Sequence, residues 1–203
     1  MDIRNQILWD SRQLGTRGFS LIELLVVCGV LIVISGLLLA SNSRFGGSIQ
    51  LESLAYDIGL SVRQAQVYGI SVRQFNPGVY TAGYGMHFDL SSPTTYVLFG
   101  DAISANGQYD QGELVQSTSI ALGYSIQQIC VTQTGSAETC TPAVADVLFR
   151  RPEPDAYISS GSQSCILHTG ICYESARIVV RSPRGDTMSV TISVNGQISV
   201  SKP

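Results

Sequence analysis

Arg17-Gly18-Phe19-Ser20-Leu21-Ile22-Glu23-Leu24-Leu25-Val26-Val27 opens an apolar run that continues to Ala40, and Glu23 is its only charge after Arg17. The 22 positions of 19–40, wound as an α-helix, rise about 33 Å and match the roughly 30 Å hydrocarbon core of a bilayer. Arg4, Arg12 and Arg17 precede the run and only Arg44 lies just beyond it. That asymmetry predicts a cytoplasmic N-terminal side and an exported bulk. An ionised carboxylate deep in lipid costs about 2.5–3.5 kcal/mol, so Glu23 calls for a partner. A secretory signal trimmed after Ala40, or a plain signal anchor, would also place this run in a membrane, but neither explains the glutamate.

The 203 residues, 44% of them hydrophobic, suffice for one domain plus this appendage. Net charge is -3, and without residues 1–18 it is -4, nine basic residues against thirteen acidic. A protein so balanced has no electrostatic hold on phosphate backbones, which argues against nucleic acid as a partner.

Beyond Ala40 the polar, glycine-bearing segment 41–47 predicts a local break or kink. Leu51, Leu54, Ala55, Ile58, Val62 and Ala65 then recur at helical spacing, while Glu52, Asp57, Arg63 and Gln64 fall on the other side. The pattern predicts an amphipathic helix ending near Arg73 to Phe75, before Pro77. Short β-favouring runs follow, with strands expected at 84–88, 95–99, 113–116, 120–131, 147–150, 176–181, 188–194 and 197–200. Asn195-Gly196 between the last two runs predicts a hairpin with a two-residue turn.

Candidate chemistry after residue 76 is sparse. Asp101, Asn106, Asp110 and Glu113 give the 101–113 loop an oxygen-rich set in which Gly107 and Glu113 reproduce the end of a calcium-hand loop. The opening acid is displaced by one and the flanks read as strands, so a calcium site competes with a plain β connection turning at Asn106-Gly107. Cys130, Cys140, Cys165 and Cys172 permit three disulfide connectivities, of which sequential pairing closes the shortest loops. Without a C-x-x-C pair their spacing does not suit structural zinc. His87 and His168 belong to no catalytic motif, and no enzyme activity is expected. Arg177, Arg181 and Arg184 form the one basic cluster that a nucleic-acid-binding role could use. Arg184-Gly185-Asp186 is accounted for by a turn.

The string from Arg17 to Glu23 resembles the prepilin signature of type IV pilin-like proteins: a basic residue, a glycine, then a phenylalanine opening the hydrophobic helix and a glutamate four residues later. The segment 54–65 and the 101–113 loop also look like those of H-type minor pseudopilins. The resemblance implies an α+β pilin fold, with a long N-terminal helix packed through its second half on an antiparallel sheet. Residues 1–18 would be a cytoplasmic leader, 19–43 a transmembrane and assembly helix, 44–75 its amphipathic continuation and 76–203 an exported head. It further implies cleavage between Gly18 and Phe19 by a prepilin peptidase, N-methylation of Phe19, and pairing of Glu23 with the terminal amine of a neighbouring subunit. Partners would be other pilin or pseudopilin subunits, that peptidase and the inner-membrane assembly platform, and no cofactor is implied. The chain would reside in the inner membrane and then in a type IV pilus or type II secretion pseudopilus. A DNA- or surface-binding minor pilin and a membrane-anchored exported protein are the competing readings.

Overall fold

The computed structural model describes residues 18–202 except 76, 81, 122 and 168–171, with the backbone alone for 40–46. Helix α1 spans Leu21–Ile70. Nine strands follow: β1 Gly83–Asp89, β2 Thr95–Asp101, β3 Leu114–Ser119, β4 Ser125–Gln133, β5 Val144–Phe149, β6 Ala156–Ser160, β7 Tyr173–Arg181, β8 Thr187–Ser193 and β9 Ile198–Ser201. The layout is α+β. By internal contacts the chain divides into two units, with the boundary between Ser43 and Arg44.

In the first unit the described helix is apolar, and its side chains through Leu39 are exposed. Leu21–Leu39 has a mean hydropathy of 2.8, long and apolar enough to cross a membrane. Two expectations about this helix are corrected. The ladder of α1 is unbroken through 41–47, so Gly46 and Gly47, each costing about 1 kcal/mol against alanine, do not interrupt it. Its end is Ile70 rather than Arg73 to Phe75, and Ser71 and Val72 form a turn that closes it.

In the second unit the stripe read from the sequence is the buried face: Ala55, Ile58, Val62 and Ala65 have no exposed surface and Leu51 almost none. They share one core with Met86 and Phe88 of β1, Ile129 of β4, Ile178 of β7 and Ile192 of β8. The single antiparallel sheet expected is in fact two, one in the order β3-β2-β1-β5-β6 and one in the order β4-β7-β8-β9. Every pairing is antiparallel. Gln66 of α1 ties distant pieces together, its amide donating to the carbonyls of Pro154 at 2.9 Å and Gly196 at 3.2 Å.

The strand boundaries differ from expectation where turns intrude. The run 120–131 is not one strand, because Ile120 and Tyr124 bond back to Thr94 and Ala121 before β4 begins. β5 starts three residues earlier than expected, and β6 is an addition. The terminal hairpin forms, but its connection has three residues. Gly196 N–H bonds to Ser193 O, Ser193 N–H bonds to Gln197 O, and only Gly196 takes positive φ, at 76°. A two-residue Asn-Gly turn would need positive φ at Asn195 as well. Instead the Asn195 side chain accepts the Gln197 N–H at 3.0 Å.

Candidate functional site

Gly18, Phe19 and Ser20 lead into α1 as exposed residues outside the helix. The helix opens with Leu24 N–H donating to Ser20 O at 3.1 Å, which puts Ser20 at the cap and Glu23 in the first turn. Two forces favour a carboxylate there: the unpaired N–H groups of the helix end, and any cation held nearby. Glu23 is exposed among exposed apolar neighbours, Leu21 at 82% and Ile22 at 67%. A carboxylate at Glu23 and an amine at Phe19 would lie four residues apart in the chain, with Phe19 just ahead of the helix. Arg17 and the remainder of residues 1–17 lie outside the described residues.

The 101–113 loop folds over the face of the five-stranded sheet that the core leaves free. The Tyr109 ring stacks near His87 and Phe99, and its N–H donates to Asp146, which also bonds His87 Nδ1 at 2.7 Å. Asp146 thus links the His87 imidazole on β1 to the backbone of the loop at Tyr109. His168 lies outside the described residues.

The four oxygen-bearing residues do converge. Glu113 is fully buried; its Oε1 accepts the N–H groups of Ala102, Ile103 and Ser104 at 3.1, 2.9 and 3.3 Å, and its Oε2 accepts that of Asp110 at 3.0 Å. Asp101 accepts the Asn106 and Gly107 N–H groups at 3.0 and 3.1 Å, and Asn106 donates to Asp110 at 2.9 Å. The lone pairs that calcium would take are turned on the loop's own backbone. Glu113→Ala is therefore expected to destabilise the second unit by about 3 kcal/mol, since four N–H groups lose their acceptor. Urea denaturation measures this, and millimolar calcium is expected to leave the wild-type midpoint unchanged.

Burial, with Glu113 nearby and backbone N–H groups opposing, pushes the Asp101 carboxyl up from 3.8 to about 6. Burial also raises Asp146, against the pull of His87. An acid whose folded pKa is raised holds its proton between about pH 4 and 6, where the unfolded chain has released it. Stability should thus fall as pH rises through that window, by about 2–3 kcal/mol for Asp101. The urea midpoint is expected to be higher at pH 5 than at pH 7, with Asp101→Asn flattening the difference. Glu138 acts oppositely: its hydrogen bond from Arg177 lowers its pKa below 4.5, and its contribution is lost as pH falls from there through the lowered value.

The basic cluster is partly neutralised. Arg177 bonds Glu138 through Nε at 2.8 Å and through its terminal nitrogen, whereas Arg181 and Arg184 remain exposed. The cysteines pair as Cys130–Cys140 and Cys165–Cys172, the sequential connectivity. Cys130, Cys140 and Glu138 come close enough for a metal, but both sulfurs are committed to the disulfide. The Ser182 to Asp186 turn closes through Asp186 N–H to Ser182 Oγ and Gly185 N–H to Ser182 O, which accounts for the Arg-Gly-Asp triplet.

No family model matches the chain, and neither a curated protein nor a solved structure matches it.

Proposed function

We propose that this protein is a pilin-like structural subunit, a minor pilin or pseudopilin of a type IV pilus or type II secretion pseudopilus. One observation carries the reading: Glu23 stands in the first turn of an exposed apolar helical stretch, Leu21–Leu39, that begins two residues after Phe19. Cleavage between Gly18 and Phe19 creates a terminal cation that can pair with the Glu23 carboxylate of a neighbouring subunit. A buried carboxylate without that partner is strongly unfavourable, so a subunit whose Glu23 finds a neighbour's amine is held in register. Gly29 and Gly36, seven residues apart on the same exposed helix, add no bulk where another helix would approach. The rest of α1 carries a disulfide-bonded head into the exported compartment, and that head mediates the contacts of the assembled fibre.

Neutralisation of Arg177 by Glu138 leaves a DNA- or surface-binding role resting on Arg181 and Arg184 alone, and assembly is the better supported reading. The test is co-expression with a prepilin peptidase, active or with its catalytic aspartates replaced. An 18-residue shortening that needs the active enzyme, and that Gly18→Val prevents, is the expected result. Equal length with either enzyme would leave an ordinary membrane anchor as the reading.

A further inference from the structure

Tyr84 on β1 is 1% exposed, and among the described residues no group accepts the proton of its hydroxyl. It is the only such side-chain atom among the described residues, and an unpaired buried hydroxyl is costly enough to call for a partner. Its ring packs edge-on against Tyr68 at 5.7 Å between centroids. The Tyr68 ring in turn carries the Arg73 guanidinium at 3.7 Å from its centre. The Arg73 guanidinium lies at the edge of hydrogen-bonding distance from the hydroxyl and lowers its pKa both as a charge and as a donor, so it can serve an oxygen lone pair but cannot accept the O–H proton. No carboxylate among the described residues is within ion-pair distance of Arg73.

Arg73 and Tyr84 line a cleft of about 260 Å³ just beyond the end of α1. Gln74 adds an amide, Gly112 and Val115 form the opposite wall, and Leu114 begins the free edge of β3. The Phe75 ring closes one side by seating on Gly100, where any Cβ would collide with it. The volume is below that of a drug-sized site, so it suits a functional group with a short stem.

We propose that this cleft binds a carboxylate, with the Arg73 guanidinium supplying charge, the Tyr84 hydroxyl donating a hydrogen bond and Gln74 completing the set. A single cation beside one O–H donor matches a monoanion of planar geometry, which the guanidinium fork engages through two parallel bonds. Burial raises the Tyr84 pKa, which keeps the phenol protonated and therefore a donor at neutral pH. Arg73 is exposed and rests on the Tyr68 ring, so rotation of its side chain opens the hydroxyl to the cleft. The carboxylate belongs either to a free short acid or to an acidic side chain of a neighbouring protein, and both present the same group. The inference is independent of the assembly reading.

The test is thermal melting of the full chain in detergent micelles, with sodium propionate or N-acetyl-aspartate amide titrated against sodium chloride at equal ionic strength. A saturable rise in melting temperature over chloride is expected, abolished by Arg73→Gln and at least about tenfold weaker in Tyr84→Phe. Without any carboxylate, Tyr84→Phe is expected to melt higher than the wild type, because it removes an unpaired buried hydroxyl. Binding of propionate alone assigns the cleft to a free acid; equal binding of both probes assigns it to a partner's side chain. No rise over chloride, a rise unaffected by either substitution, or a lower melting temperature for Tyr84→Phe without ligand overturns the proposal.

Discussion

Glu23→Gln is expected to yield a chain whose head folds normally and which almost never enters the fibre. Two accounts of this carboxylate make different numerical demands. If it only complements the helix end, its removal costs about 0.3–1 kcal/mol and incorporation hardly changes. If it pairs with a neighbour's terminal amine away from water, the glutamine leaves that amine buried and unpaired, at about 3–5 kcal/mol. At about 1.4 kcal/mol per tenfold, the second account predicts at least a hundredfold drop in the ratio of sheared-fibre to membrane-fraction protein. The melting temperature of the head should not move, because Glu23 and the head belong to different units of the chain. Near-normal incorporation of the glutamine variant would remove the pairing from the account.

Gly69→Ala is expected to destabilise the head by about 2–3 kcal/mol even though alanine is the better helix former by about 1 kcal/mol. A Cβ at Gly69 would stand 2.6 Å from the Phe149 carbonyl carbon and nearer still to its oxygen, so the last turn of α1 could not stay seated on the end of β5. Backbone cannot swing aside as a side chain can. Gly59, ten residues earlier on the same helix, provides the contrast. Its Cβ would meet the methyl groups of Ile198 and Val200 at 3.7 Å, an ordinary contact. Gly59→Ala should therefore stabilise by up to about 1 kcal/mol. Opposite shifts of the urea midpoint in the two variants would confirm that close approach, rather than helix propensity, fixes Gly69. A stabilised Gly69→Ala would show that α1 does not seat on Phe149 as described.

The helix and its core face were legible because apolar spacing at Leu51, Ala55, Ile58, Val62 and Ala65 is a local property of the chain. The terminal hairpin was legible for the same reason, but the Asn195-Gly196 turn was not. Choosing between two and three loop residues depends on whether Asn195 takes positive φ, and Asn195 can satisfy its neighbour with its side chain instead. β6 went unread because its five residues follow Pro152 and Pro154 and gain their strand character from pairing with β5. The division into two sheets rests on partnerships such as β1 with β5 and β4 with β7, which link residues far apart in the chain.

At the loop, composition identified Asp101, Asn106, Asp110 and Glu113 as one cluster. Oxygen count alone does not say whether an ion or the backbone will use them. Tyr84 and Arg73 left still less trace. In the sequence Tyr84 only opened an expected strand and Arg73 only marked the expected end of a helix, and the fold brings them to one cleft.

The most direct measurement is the intact mass of the protein isolated from its native membrane. The account predicts a polypeptide that begins at Phe19, lacks residues 1–18, carries two disulfides and is heavier by one methyl group. A mature chain beginning anywhere else, or one that retains residues 1–18, would contradict it, because a neighbouring subunit's Glu23 would then find no Phe19 amine to answer its charge.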